Sequence, residues 1–203
     1  MGKAKDAKGK RSVLGDLKAD EGLDVLRRLL TSHPDLVVEA ENIARSLLGE
    51  VSFETVANEV EDAVGGQDLD DLNGRAGQHE WGYVEPTEAA WEILEEAVEP
   101  FVADIKRRIQ LGLEADALEI CKGVVLGLYR VEHSGGGFVA EWASDFPAEA
   151  ACDAIETWLA PDRKNKASGR RRKRPPFPQE FVDSEVPDWR DMIARILSRR
   201  KTR

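Results

Sequence analysis

From Leu118 to Tyr129 the chain reads Leu-Glu-Ile-Cys-Lys-Gly-Val-Val-Leu-Gly-Leu-Tyr, apolar on nearly every side once wound into a helix. A helix on a protein surface needs one apolar stripe, so a stretch with no polar face must be surrounded by other elements. The segment from Glu114 to Tyr129 is therefore expected to be the central helix of a bundle. Gly123 and Gly127, four residues apart, place two side-chain-free positions on one face. Such a pair lets a neighbouring backbone come close, either within the chain or across a dimer.

The flanking sequence supplies the surrounding helices. Leu23, Leu26, Leu29 and Leu30 form a helical stripe that ends at residues 32–34; a second runs from Leu36 to Leu48 and closes at Gly49. Ser52 is placed to cap a third, with Phe53, Val56, Val60 and Val64 inward and Gly65-Gly66 after it. Asp68 to Asn73 reads as one short helical turn, and 74–86 as an irregular loop carrying His79, Trp81 and Tyr83. From Thr87, apolar residues repeat at three and four through Ile109; Pro100 removes one hydrogen bond in that run, so a kink is expected there. A helix from Pro147 carries Ala151, Ala154, Ile155, Trp158 and Leu159 on one side and stops at Pro161. Beyond residues 162–186, basic and then proline-containing, Pro187 opens a last helix.

This gives an all-α fold, an irregular helical bundle or stacked helical hairpins, with a basic linker and a C-terminal amphipathic helix. The organisation expected is a basic mobile arm at 1–20, an acidic helical domain at 21–161, a flexible linker at 162–186 and the amphipathic helix with a basic end at 187–203. Charge follows that division: residues 12–162 hold 10 basic against 33 acidic side chains, whereas 163–174 holds eight basic and no acidic ones. The acidic body repels polyanions and the tails attract them.

Several chemistries lack their residues. His79-Glu80 resembles the start of a helical zinc-protease motif, but Tyr83 stands where the second histidine belongs. Asp68 and Asp70 invite a calcium loop, yet Leu72, Asn73 and His79 occupy the third-ligand, glycine and closing-glutamate positions. Gly135-Gly136-Gly137 follows a helix, not the strand that a nucleotide loop follows, and Ser134 has Glu132 where a nucleophile elbow needs glycine. Cys121 and Cys152 cannot build a thiolate cluster and fit a reducing compartment. No catalytic residue, cofactor or metal is assigned. No secretory signal is read at the N-terminus, and the longest apolar run, Val124 to Tyr129, is far short of the roughly 20 residues of a membrane span. A cytoplasmic location is the expectation.

Gly-Tyr-Val-Glu-Pro-Thr-Glu-Ala-Ala-Trp at 82–91, Ile-Leu-Glu-Glu-Ala-Val-Glu-Pro-Phe at 93–101 and Leu-Gly-Leu-Tyr at 126–129 resemble uncharacterised bacterial helical proteins. The chain is also similar, over about residues 20–160, to the helical regions that accompany SWIM zinc fingers in bacteria. That resemblance implies stacked helical hairpins of the repeat-adaptor kind. The finger itself, Cys-x-Cys followed by Cys-x-His, is absent, so no metal or nucleic-acid role comes with it.

The function expected is a non-enzymatic binding or adaptor protein acting through protein–protein contacts, its partner another protein or a second copy. Two surfaces are candidates. Trp81 and Tyr83 sit in a glycine-containing loop, where aromatic residues serve as contact anchors. Trp189, Met192, Ile193, Ile196 and Leu197 fall on one stripe of the last helix, which must dock on the body, a second copy, a partner or an anionic membrane surface. The alternative is sequence-independent nucleic-acid association through the tails, with Arg170, Arg171, Arg172, Lys173 and Arg174 neutralising phosphates. Residues 172–178 also fit a basic polyproline ligand.

Overall fold

The structure, a computed structural model, describes residues 13–80, 82–135, 137–160 and 174–199. The described chain is helical apart from one small hairpin, and it falls into two compact units that meet in sequence at Glu50 and Val51. The single acidic domain expected at 21–161 is thus divided near Gly49, where α2 ends in a residue with φ of 70°.

In the first unit, a 3-10 turn at Val13–Asp16 precedes α1 (Ala19–Ser32); a second turn at Pro34–Leu36 leads into α2 (Val37–Leu48). The backbone N–H of Lys18 donates to Glu21 Oε2 at 2.9 Å, closing the first turn of α1. No described residue of this unit is buried.

The second unit is built around α6 (Glu114–Ser134), whose buried positions run from Ala117 to Val131 and include Cys121, Gly123, Val125, Gly127 and Leu128. α3 (Phe53–Gly65) lies along it, with Val56, Ala57, Val60 and Val64 turned inward. A Cβ on Gly123 would stand 2.5 Å from Val56 Cβ and 2.7 Å from Phe53 O; one on Gly127 would stand 2.6 Å from Ala57 O. The paired glycines therefore serve a close helix contact within one chain.

Ser52 occupies the N-cap position of α3 in extended conformation, but its hydroxyl makes no cap hydrogen bond. At α4 (Leu69–Arg75) the cap is complete. Asp68 Oδ1 accepts from the Asp70 and Asp71 N–H groups at 2.8 and 3.0 Å, and Asp71 accepts from the Asp68 N–H at 2.9 Å.

Residues 74–86, expected to be irregular, instead contain an antiparallel pair, β1 (Gly77–His79) and β2 (Gly82–Val84), with Gln78 opposite Tyr83. The reason is local: His79 Nε2–H donates to Arg75 O at 2.6 Å, and glycines at both ends allow the φ of 105° and 147° that the pairing needs.

α5 (Pro86–Gln110) runs unbroken through the exposed Pro100. Residues 111–113 return the chain to α6, and the buried Arg108 ties the two, reaching Asp104 at 3.3 Å and Asp116 at 3.1 Å. The short α7 (Gly137–Ala140) and a 3-10 turn at Glu141–Ala143 lead to α8 (Phe146–Leu159), which packs on α5 and α6.

The linker expected at 162–186 is ordered in its second half. α9 (Gln179–Glu185) buries Phe181 and Val182, and Phe177 and Val186 beside it are also buried. The phenylalanines stack edge to face: Phe177 on Phe181 at 5.7 Å, and Phe181 on Phe53 at 5.6 Å. Composition suggests a linker because prolines and acids separate these apolar residues, but Phe177 and Phe181, and likewise Val182 and Val186, stand four residues apart. A 3-10 turn at Pro187–Trp189 then enters α10 (Arg190–Arg199). No helix among the described residues is long and apolar enough to cross a membrane.

Candidate protein-binding groove

α5 and α8 lie side by side, and between them runs a groove of about 480 Å³. Its floor is apolar: Trp91 meets Phe146 edge to face at 5.2 Å, and Val98, Val102 and Ala150 continue it. Its rims are acidic. Glu95 and Glu99 stand four residues apart on α5, Asp153 and Glu156 three apart on α8, and all four are exposed. Those spacings put each pair on one face of its helix. Lys106, 3.9 Å from Glu99, is the basic residue in the lining. Such an arrangement accepts apolar side chains below and pairs with cations above.

The other prominent hollow, lined by Gln67, Asp71, Arg75, Ile93, Glu96 and Ala97, is already occupied by an ion pair. Arg75 grips Glu96 with both terminal nitrogens, one at 2.8 Å, and lies 3.9 Å from Glu92. The bond to Glu96 raises the arginine's pKa and lowers the carboxylate's. Among the described residues no group of three or more His, Cys, Asp or Glu side chains could hold a metal ion.

The residues singled out in the sequence are not brought together. Tyr83 is exposed on β2, whereas Trp81 lies outside the described residues. The C-terminal stripe is turned onto the chain's own second unit: Trp189 and Ile193 are 5 % and 1 % exposed, Ile196 is buried, and Met192 and Leu197 are half-buried. As a free contact surface that stripe is corrected by the structure, because the chain's own helices cover it: Trp189 sits on α6, and α10 packs on α8 and α9. Trp189 Nε1–H donates to Glu132 Oε2 at 2.7 Å, and its ring meets Tyr129 edge to face at 5.2 Å.

Beside it, Asp188 Oδ2 accepts from Tyr129 Oη and from His133 Nε2, both at 3.0 Å. His133 Nδ1 donates to Tyr129 O at 2.8 Å. The carbonyl of Tyr129, and then Asp188, favour the charged imidazole and raise the His133 pKa; the hydrogen bonds from Tyr129 and His133 lower that of Asp188.

Arg170, Arg171, Arg172 and Lys173 lie outside the described residues. Arg174 is half-buried. Its guanidinium lies 5.6 Å over the ring of the fully buried Trp158 and donates to the Trp158 carbonyl. It is thus committed to the fold and not held out for a polyanion.

Sequence reading missed the groove. Its carboxylates look like ordinary outward solvation, as most such residues are. The available signal was on α5, where Trp91, Val98 and Val102 widen the apolar arc beyond the Ile93, Leu94 and Ile105 stripe that α6 can cover. No protein-family model, curated protein or solved structure matches this chain.

Proposed function

We propose that this chain is a helical protein-binding module whose α5–α8 groove receives a basic amphipathic segment of a partner protein. The observation that carries this reading is the pairing of an apolar floor, Trp91, Val98, Val102 and Phe146, with carboxylates on both rims. An amphipathic helix laid in a groove uses both features at once: apolar anchors at three- and four-residue spacing enter the floor, and Lys or Arg between them meet the rims. α8 has 14 residues, so at 1.5 Å each it offers a partner helix a length of about 21 Å, close to four turns. The charge of 33 acidic against 10 basic residues at 12–162 favours a cationic partner and disfavours nucleic acid at this surface.

The test compares proteins captured by the wild-type chain with those captured by Glu95→Lys/Glu156→Lys. Both positions are exposed, so the variant keeps its helical spectrum and its melting temperature. Partners that use the groove disappear from the variant's set, carry a basic amphipathic helix, and bind the wild type less tightly as salt rises. An identical set of bound proteins for both chains overturns the reading.

A further inference from the structure

The two walls of the groove do not end together. Trp91 meets Phe146 at one end, and the lining runs from there to Lys106 on α5 and to Ala160 on α8, so the two helices run the same way. α5 begins at Pro86, five residues before Trp91, so the wall it raises stops about a turn and a half past that contact. The opposite wall goes on. α7 and the 3-10 turn at Glu141–Ala143 lead into α8, and Ala140, Ser144 and Asp145, at the joints, keep right-handed helical φ and ψ. A Cβ on Gly137 would stand 3.1 Å from the Gly65 backbone, so this extension starts pressed against the end of α3.

Its side chains fall in two rows. Phe138, Trp142, Phe146 and Ala150 stand four residues apart, and so do Glu141, Asp145, Glu149 and Asp153, each three residues after its apolar counterpart. Steps of three and four stay on one helical face, so the acids flank the apolar row along its whole length. On the other side of that row, Val139, Ala143 and Pro147 are buried, whereas all four acids are exposed. Phe146, under Trp91, is 2 % exposed; Trp142 and Phe138, past the end of α5, are 46 % and 42 % exposed. The apolar floor and acidic rim of the groove therefore continue beyond it, with the aromatic side chains bare.

Charge says what covers them. Residues 137–160 hold five acidic and no basic side chains, so an anionic or acidic partner is repelled along the whole row and a cationic one is paired along it. Resting on the reading of the groove as a protein-binding site, we infer that the docking surface runs on from the groove over Trp142 to Phe138. Its partner is one cationic amphipathic helix, whose Lys or Arg side chains meet the acidic row and whose end packs on the Trp142 ring. The 22 residues from Phe138 to Leu159 set its length at about 33 Å, or six turns, against about four for the groove alone.

Calorimetric titration of the full chain with two synthetic amphipathic helices of leucine and lysine, of about 14 and about 22 residues, tests this. The longer peptide is expected to bind at least about tenfold more tightly. Trp142→Ser removes that advantage and leaves the affinity for the shorter peptide within about twofold. Glu141→Gln/Asp145→Asn reduces the advantage, most at low salt. Asp145 makes no side-chain cap hydrogen bond at α8, so this second variant keeps the wild-type urea midpoint. Glu95→Lys/Glu156→Lys weakens both peptides. If neither peptide binds the wild type, the groove reading falls and this one with it. Equal affinity for the two lengths, or a length advantage that Trp142→Ser leaves intact, overturns the extension while the groove stands. An advantage that Glu141→Gln/Asp145→Asn leaves unchanged at low salt overturns the acidic row as the feature that selects a cationic partner.

Discussion

Gly123 and Gly127 show how much one missing carbon decides. A glycine inside a helix ordinarily costs about 1 kcal/mol relative to alanine, so replacing it should stabilise. Here the new Cβ of Gly127→Ala would lie 2.6 Å from the Ala57 carbonyl oxygen and 2.8 Å from Val60 Cβ, and a backbone atom cannot swing aside as a side-chain tip can. α3 must move away from α6, and overpacking of this sort costs about 1–3 kcal/mol, more than the propensity returns. Gly74, in the exposed last turn of α4, has nothing within 4 Å of its Cβ position. Urea unfolding should therefore give opposite signs: a lower midpoint for Gly127→Ala and an unchanged or slightly higher one for Gly74→Ala.

At the scale of elements, the C-terminal helix is held partly by a titratable latch. His133 donates from both ring nitrogens, to Tyr129 O and to Asp188, and only the charged imidazole carries both protons. Its raised pKa means that its contribution is full below about 6.5 and is lost as pH rises through the raised value. The lowered pKa of Asp188 means that its contribution is present above about 3.9 and is lost as pH falls through the lowered value. The latch is tightest between those limits. The difference in urea midpoint between wild type and His133→Ala should be larger near pH 5.5 than near pH 9, and equal differences at the two pH values would remove His133 from the latch.

The helices themselves were legible because their apolar residues recur at three and four and their ends carry proline or glycine, as at Pro86 and Gly135. The hairpin was not, since three-residue strands have no period to detect; the Arg75 carbonyl under His79 and the positive φ of Gly77 and Gly82 reveal why the loop is shaped as it is. Nor was α9, whose apolar residues are separated by charges and read as linker until Phe53 appears opposite Phe181. For the C-terminal stripe, spacing showed that it must be covered, but what covers it is a matter of Tyr129 and Glu132, 60 and 57 residues before Trp189, and of α8 beneath α10, which periodicity does not carry.

In the molecule as a whole, the two cysteines report on the second unit's integrity. Cys121 is fully buried on α6, its thiol set toward the Ala154 carbonyl at 3.6 Å, and burial pushes its pKa far up. Cys152, on α8, is half-buried. A thiolate-selective reagent should modify Cys152 in the native protein and reach Cys121 at the rate of global unfolding. Rapid native modification of Cys121 would mean that α8 leaves α6 without the rest of the unit opening.

The arrangement of α3 against α6 also sets an order of events. α5 and α6 are neighbours in sequence, separated by residues 111–113 and tied by Arg108, so they can meet early, at little cost in chain entropy. α3 reaches its seat on Gly123 and Gly127 only after α4, the hairpin and α5 have been looped out, a longer excursion than the one that brings α10 back to α8. On sequence separation alone, the seam with the tightest tolerances is expected to be among the later ones to form, which the folding and unfolding rates of Gly127→Ala would check. Flaws there should hasten unfolding more than they slow folding, so the glycines act as guardians of the native state's lifetime.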